Sequence, residues 1–151
     1  MPAEDRAAIA RAAGNGRRIV LRDHIEDLPS VMAAADLVIA MGGYNTSAEI
    51  LAVGARAVIV PRYWRSGEHG SKGKSGFDAE QLVRAQGLAR LGAVEMLDPR
   101  EFSAAALGAA IERALDRPRL RLSGELRLDG AERVADRLIE LAELKQSGGQ
   151  R

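Results

Sequence analysis

Residues 35–54, ADLVIAMGGYNTSAEILAVG, lead an apolar strand through two glycines directly into a helix, and the reading of this stretch decides the fold. Leu37 to Met41 are apolar without alternation, which is the character of a strand buried on both faces and so of a parallel sheet covered by helices. The helix that follows is expected from about Thr46 to Val53, stopped by Gly54, and Ala57 to Val60 read as the next buried strand, closed by Pro61. Downstream, Phe77 to Leu91 read as a helix, Val94 to Leu97 as a strand, Phe102 to Leu115 as a helix after Pro99, and Ala131 to Leu144 as the last helix. Upstream, Asp27 and Pro29 open a helix through Ser30 to Ala35, and Ile19, Val20 and Leu21 form a short strand. A first helix carries Ala7, Ile9, Ala10 and Ala13 and ends at Gly14 and Gly16. This alternation predicts an α/β chain with an open, doubly wound parallel sheet, in a single domain over residues 1–151.

Two segments interrupt the pattern. Residues 62–76, RYWRSGEHGSKGKSG, are rich in Gly and Ser and hold Lys72 and Lys74, two of the three lysines, so a flexible loop is expected there. Residues 118–130, PRLRLSGELRLDG, are too polar to be core.

Composition narrows the function. A chain of 151 residues suits one domain with a moderate core. Its 22 basic and 21 acidic residues leave a formal net charge of +1, which gives no electrostatic case for a nucleic-acid partner. Without cysteine there is neither a disulfide framework nor thiolate chemistry, and the two histidines, His24 and His69, supply no recognisable metal set. No apolar run is long enough to cross a bilayer, and the first residues lack a signal peptide's apolar core, so a cytoplasmic chain without a transmembrane segment is expected.

Open α/β sheets bind ligands outside the carboxyl ends of their strands, which is where the glycine turn lies. Glycines permit close approach, and the free amides and positive dipole end of the following helix suit a phosphate or diphosphate. Gly42, Gly43, Asn45, Thr46 and Ser47 are the candidates to line it, and Glu49, further into the helix, is placed to accept hydrogen bonds from vicinal ribose hydroxyls. A plainer reading stands beside this one. Thr46-Ser47-Ala48-Glu49 is also a capping box that satisfies the helix's own donors, and paired glycines are ordinary in tight turns.

The run DLPSVMAAADLVIAMGGYNTSAEILAVGARAVIVPR, followed by AEQLVRAQGLARLGAVEML, resembles the carboxyl-terminal, donor-binding domain of GT-B glycosyltransferases of family 28, the group related to the peptidoglycan UDP-N-acetylglucosamine transferase. The resemblance covers about residues 18 to 97, and the tail LRLDGAERVADRLIEL is similar as well. It implies a truncated, Rossmann-like GT-B half that takes a UDP-sugar as substrate and uses no cofactor or metal. On the matching positions, Gly42, Gly43 and the amides of Asn45 and Thr46 face the donor diphosphate, with Ser47 beside them, and Glu49 holds the ribose. Backbone near His24 and Ile25 reads the uracil edge, and Glu80 and Gln81 contact hydroxyls of the transferred sugar. Arg62 is read either as a neutraliser of the leaving diphosphate or as a surface ion pair. Tyr63 and Trp64 are read as an acceptor-side wall or as cover for core, His69 as a solvated loop side chain, and Met32 and Met41 as core.

The sequence also departs from that family. Two strand-helix units that open such donor domains have no counterpart here, and their strands would lie between Ile19–Leu21 and Leu37–Met41. Either the first strand pairs directly with its neighbour, or an edge stays open for another chain, and Met1 would then be internal to a longer protein. The long loop at 62–76 loosens the placement of Glu80 and Gln81. The family moves a hexose from a nucleotide donor to an acceptor hydroxyl with a base from an amino-terminal domain. The catalytic base is therefore unknown here, the acceptor is unknown, and the chain is expected to be inactive without an amino-terminal acceptor domain or partner chain. Two other classes stay open: a non-catalytic nucleotide-binding or interaction module, and a nucleotide-sugar epimerase, whose chemistry needs carboxylates and a second domain.

Overall fold

A computed structural model describes residues 3–13, 19–64, 76–120 and 129–148 of the chain. In chain order the elements are α1 (Ala3–Ala13), α2 (Leu28–Ala34), β1 (Val38–Ala40), α3 (Tyr44–Val53), β2 (Ala57–Ile59), β3 (Tyr63–Trp64), β4 (Gly76–Phe77), α4 (Ala79–Arg90), β5 (Glu95–Met96), α5 (Ala104–Asp116) and α6 (Gly130–Gly148). A 3₁₀ turn at Pro99–Glu101 precedes α5.

The main sheet is parallel, in the order β1-β2-β5. Val38, Ile39 and Ala40 pair with Ala57, Val58 and Ile59, and Val58 and Ile59 pair in turn with Glu95 and Met96. The ladder continues past the strand ends through Val60 N–H to the Ala40 carbonyl and Leu97 N–H to the Ile59 carbonyl, at 2.8 and 3.0 Å. Central β2 is buried at all three positions, as an unalternating apolar strand requires. On one face Ala57 and Ile59 pack against Met32 of α2, Ile50 of α3, and Ala85 and Leu88 of α4. On the other, Val58 packs with Leu97 and with Ala110 and Ala114 of α5. Helices thus cover both faces of the sheet, and burying Val58 and Ile59 contributes roughly 1.5–3 kcal/mol each.

Local chemistry sets the helix ends. Asp27, Asp78 and Ser103 accept from the amides of Ser30, Gln81 and Ala106 at the starts of α2, α4 and α5. Gly54 ends α3 at φ 64°, with Ala55 N–H returned to the Ile50 carbonyl. At the end of α2, Arg119 donates to the carbonyls of Ala33 and Ala35 at 2.8 and 2.6 Å, which ties residues 118–120 to the core instead of leaving them as polar linker.

Several expectations are corrected. Ile19, Val20 and Leu21 form no strand, and their side chains are exposed. An apolar triplet becomes a strand only inside a ladder. It finds no partner here, so among the described residues the far edge of β1 is open. The expected α3 start at Thr46 is also displaced, since the helix begins at Tyr44 with Gly43 as its N-cap. Phe77 belongs to β4 rather than to the following helix. The segment expected to be a loop from 62 to 76 opens and closes with an antiparallel pair, Tyr63 against Phe77 and Trp64 against Gly76, braced by an edge-to-face ring contact at 5.1 Å. Residues 65–75, with His69, Lys72 and Lys74, lie outside the described residues, as do Gly14, Gly16 and residues 121–128.

Candidate functional site

The carboxyl edge of the sheet carries Gly42 and Gly43 after β1 and Pro61 and Arg62 after β2. The two glycines differ. Gly42 has φ 79°, and a Cβ there would lie 2.7 Å from Ile59 Cγ2, so the turn is pressed onto the end of β2 and only glycine fits. Gly43 has φ −57°, and a Cβ there meets nothing within 4 Å among the described residues. It faces open space.

The first turn of α3 follows at once. No side chain caps it, and the intrahelical ladder starts with Ser47 N–H to the Gly43 carbonyl at 3.0 Å, so the amides of Tyr44, Asn45 and Thr46 are not used by the helix. Because α3 begins before Thr46, the Thr46–Glu49 pair is interior to the helix, and the capping-box reading fails. Ser47 is 3 % exposed and its Oγ has no hydrogen-bond partner. It lies beneath the turn, 3.9 Å from where a Cβ of Gly42 would stand, and not on the crevice surface.

Glu49, released from capping, lines an open cleft of about 450 Å³ together with His24, Ile25, Arg22, Leu28 and Pro29. Three residues singled out from the sequence, His24, Ile25 and Glu49, are therefore brought together by α2 packing against α3.

The remaining candidates are placed differently. Gln81 is turned back to the strand end, where its Oε1 accepts from Arg62 N–H at 3.0 Å. Glu80 is 88 % exposed on α4 and stands 3.9 Å from Arg84. The Arg62 guanidinium lies 3.7 Å over the Trp64 ring. Among the described residues, a cation that does reach the glycine turn is Arg84, whose Nη1 donates to the Gly42 carbonyl at 2.9 Å. Sequence reasoning missed this residue because 42 positions separate the partners. Beyond β5, the Asp98 carboxylate accepts from the Arg100 guanidinium, which holds it below the usual carboxylate range, and Arg100 sits 5.1 Å over the Phe77 ring.

A second cavity, about 360 Å³, opens at the opposite, amino edge of the sheet between Arg56, Gly92, Val94, Arg117 and Leu120. Its arginines are spent on structure: Arg56 Nε donates to the Arg117 carbonyl, and Arg117 donates to the Val94 carbonyl and pairs with Glu95, which also receives Arg113. Glu95 is only 12 % exposed, so this is an ion-pair brace between β5 and α5. Among the described residues no group of His, Asp or Glu side chains is placed to hold a metal ion, and no helix is long and apolar enough to cross a membrane.

Residues 5–137 match the family described as the Glycosyltransferase family 28 C-terminal domain. Curated relatives carry one printed name, UDP-N-acetylglucosamine--N-acetylmuramyl-(pentapeptide) pyrophosphoryl-undecaprenol N-acetylglucosamine transferase. The protein of Trichlorobacter lovleyi is 32% identical over 132 residues, covering 83% of this chain and 32% of its own length. That of Halorhodospira halophila is 34% identical over 145 residues, covering 92% of this chain and 37% of its own. The chain thus spans about a third of the length of these relatives.

Proposed function

Because the chain belongs to the glycosyltransferase family 28 C-terminal domain family, we propose that it holds the donor, a UDP-sugar, for transfer of a hexose to an acceptor hydroxyl. The observation that carries this reading is Glu49. Its carboxylate is free of any cap and shares a cleft with His24 and Ile25, one helical turn from the unused amides of Tyr44, Asn45 and Thr46. That arrangement separates the donor's parts. The diphosphate takes the first turn of α3 over Gly43, the ribose hydroxyls donate to Glu49, and the base lies against His24 and Ile25. Gln81 presents its amide group at the strand end for the sugar, with Glu80 more exposed beside it.

Donor amides and a helix dipole aimed at a diphosphate stabilise it as a leaving group, the larger part of such catalysis. The acceptor-side base is to come from an amino-terminal domain or a partner chain, so this chain in isolation binds without turning over. The relatives' printed name specifies UDP-N-acetylglucosamine, which makes that the first donor to try. A cytoplasmic location goes with a soluble nucleotide donor.

Calorimetric titration with UDP, UMP and ADP tests the reading. Saturable binding that favours UDP, and that weakens by about 1 to 3 kcal/mol in Glu49→Ala through loss of charged hydrogen bonds, is the expected result. Equal affinity for ADP, or an unchanged mutant, would refute the ribose and base assignments. UDP binding with no transfer after addition of an acceptor half would favour a non-catalytic nucleotide module.

A further inference from the structure

We infer that Arg84 is a positioning residue of the diphosphate cradle, acting by fixing the peptide unit between Gly42 and Gly43; the inference rests on the donor-site reading above. Arg84 Nη1 donates to the Gly42 carbonyl at 2.9 Å, and the guanidinium carbon lies 5.4 Å from the centre of the Tyr44 ring. The side chain therefore touches both neighbours of Gly43, the residue that faces open space. No peptide bond described is cis, so the Gly42 carbonyl and the Gly43 N–H, which share one peptide unit, point in opposite directions. Holding the oxygen fixes the amide.

The lock matters because the residues on both sides of this unit lack a Cβ. Such a peptide rotates against little steric resistance, and each rotated state presents oxygen or N–H differently to an incoming anion. A guanidinium on the oxygen also polarises the peptide unit, which strengthens its N–H as a donor to an anion. Nothing beneath replaces it, since the buried Ser47 hydroxyl makes no hydrogen bond to the turn. Glu80 pairs with the guanidinium only loosely and through its other nitrogen, Nη2, leaving Nη1 to the Gly42 carbonyl. At 3.9 Å it is beyond hydrogen-bond range of Nη2, and it is exposed, whereas the Arg84 side chain is only 24 % exposed.

The experiment titrates the full chain with UDP and uridine as wild type, Arg84→Met, Arg84→Lys and Arg90→Met, the last a charge control at the exposed end of α4. The ligand-free Gly43 amide is followed by NMR in each variant. Arg84→Met is expected to lower UDP affinity about tenfold or more while uridine changes by less than about twofold. Arg84→Lys, which keeps the charge without the planar fork, recovers part of the loss, and Arg90→Met binds as wild type. The Gly43 amide signal of Arg84→Met broadens or exchanges faster. An Arg84→Met chain that binds UDP as wild type does, loses uridine by the same factor, or keeps an unchanged Gly43 amide overturns the inference. A wild-type chain that fails to bind UDP refutes the donor-site reading instead, and the Gly43 amide alone then decides whether the lock exists.

Discussion

Methyl groups added to Gly42 and to Gly43 meet opposite surroundings, so the two substitutions separate folding from binding. Gly42→Ala places a side chain at φ 79° and against Ile59, and is expected to cost about 1–3 kcal/mol of stability, read from the denaturant midpoint. Gly43→Val keeps an ordinary backbone and open space; it should fold normally, lose UDP binding, and affect free uridine much less. Equal losses for both ligands would mean a distorted turn. From the sequence the glycines read as one feature, because residue type records that a Cβ is missing but not what it would have met. Glu49 likewise carried two readings, and the observed start of α3 removes the capping one.

At the scale of elements, the most legible parts are those with unbroken apolar runs and a stop residue beside them. β1, β2 and β5 fall inside the expected strands, and α3 ends at Gly54 as read. Gly54→Ala is expected to destabilise by about 2 kcal/mol or more, since it puts a side chain in the left-handed region and within 2.3 Å of the Leu120 carbonyl oxygen; an unchanged melting temperature would refute this close approach of residues 54 and 120. Ile19–Leu21 misled because apolar content signals burial, whereas a strand also needs a neighbour. The α3 start misled because the Thr46–Glu49 motif is a good cap that the backbone leaves unused. The 3₁₀ turn after β5 gives a pH prediction. Asp98 is held below the usual carboxylate range by Arg100, so its contribution is complete above that range and is lost as pH falls through its folded value. Asp98→Asn should accordingly flatten the acid limb of stability against pH, measured as unfolding midpoints in a series of buffers.

The whole molecule carries the candidate site at one edge of its sheet and ion-pair bracing at the other. All five aromatic residues, Tyr44, Tyr63, Trp64, Phe77 and Phe102, lie in or beside the connections at the carboxyl edge, and three of them carry an arginine over the ring. The choice of edge was legible, because it follows from strand direction and the position of the glycines. The arginines were not: Arg84 reaches Gly42 and Arg119 reaches Ala33 and Ala35 across long stretches of chain that leave no local pattern. A ligand that binds only the folded chain stabilises it by mass action. Saturating UDP is expected to add about 2.7 kcal/mol to the unfolding free energy of the isolated chain at a concentration one hundred times Kd, read as a raised unfolding midpoint, while the same sample releases no sugar from UDP-N-acetylglucosamine above background.

The unequal footing of Gly42 and Gly43 also bears on how such a domain acquires new donors. Variation at 42 is filtered by misfolding before any ligand is tested, whereas 43, with an ordinary backbone and empty space above it, can sample side chains at small cost to the scaffold. A library meant to redirect donor choice would therefore hold 42 constant and diversify 43 together with 49 and 84, whose side chains bound the cleft beside His24 and the turn.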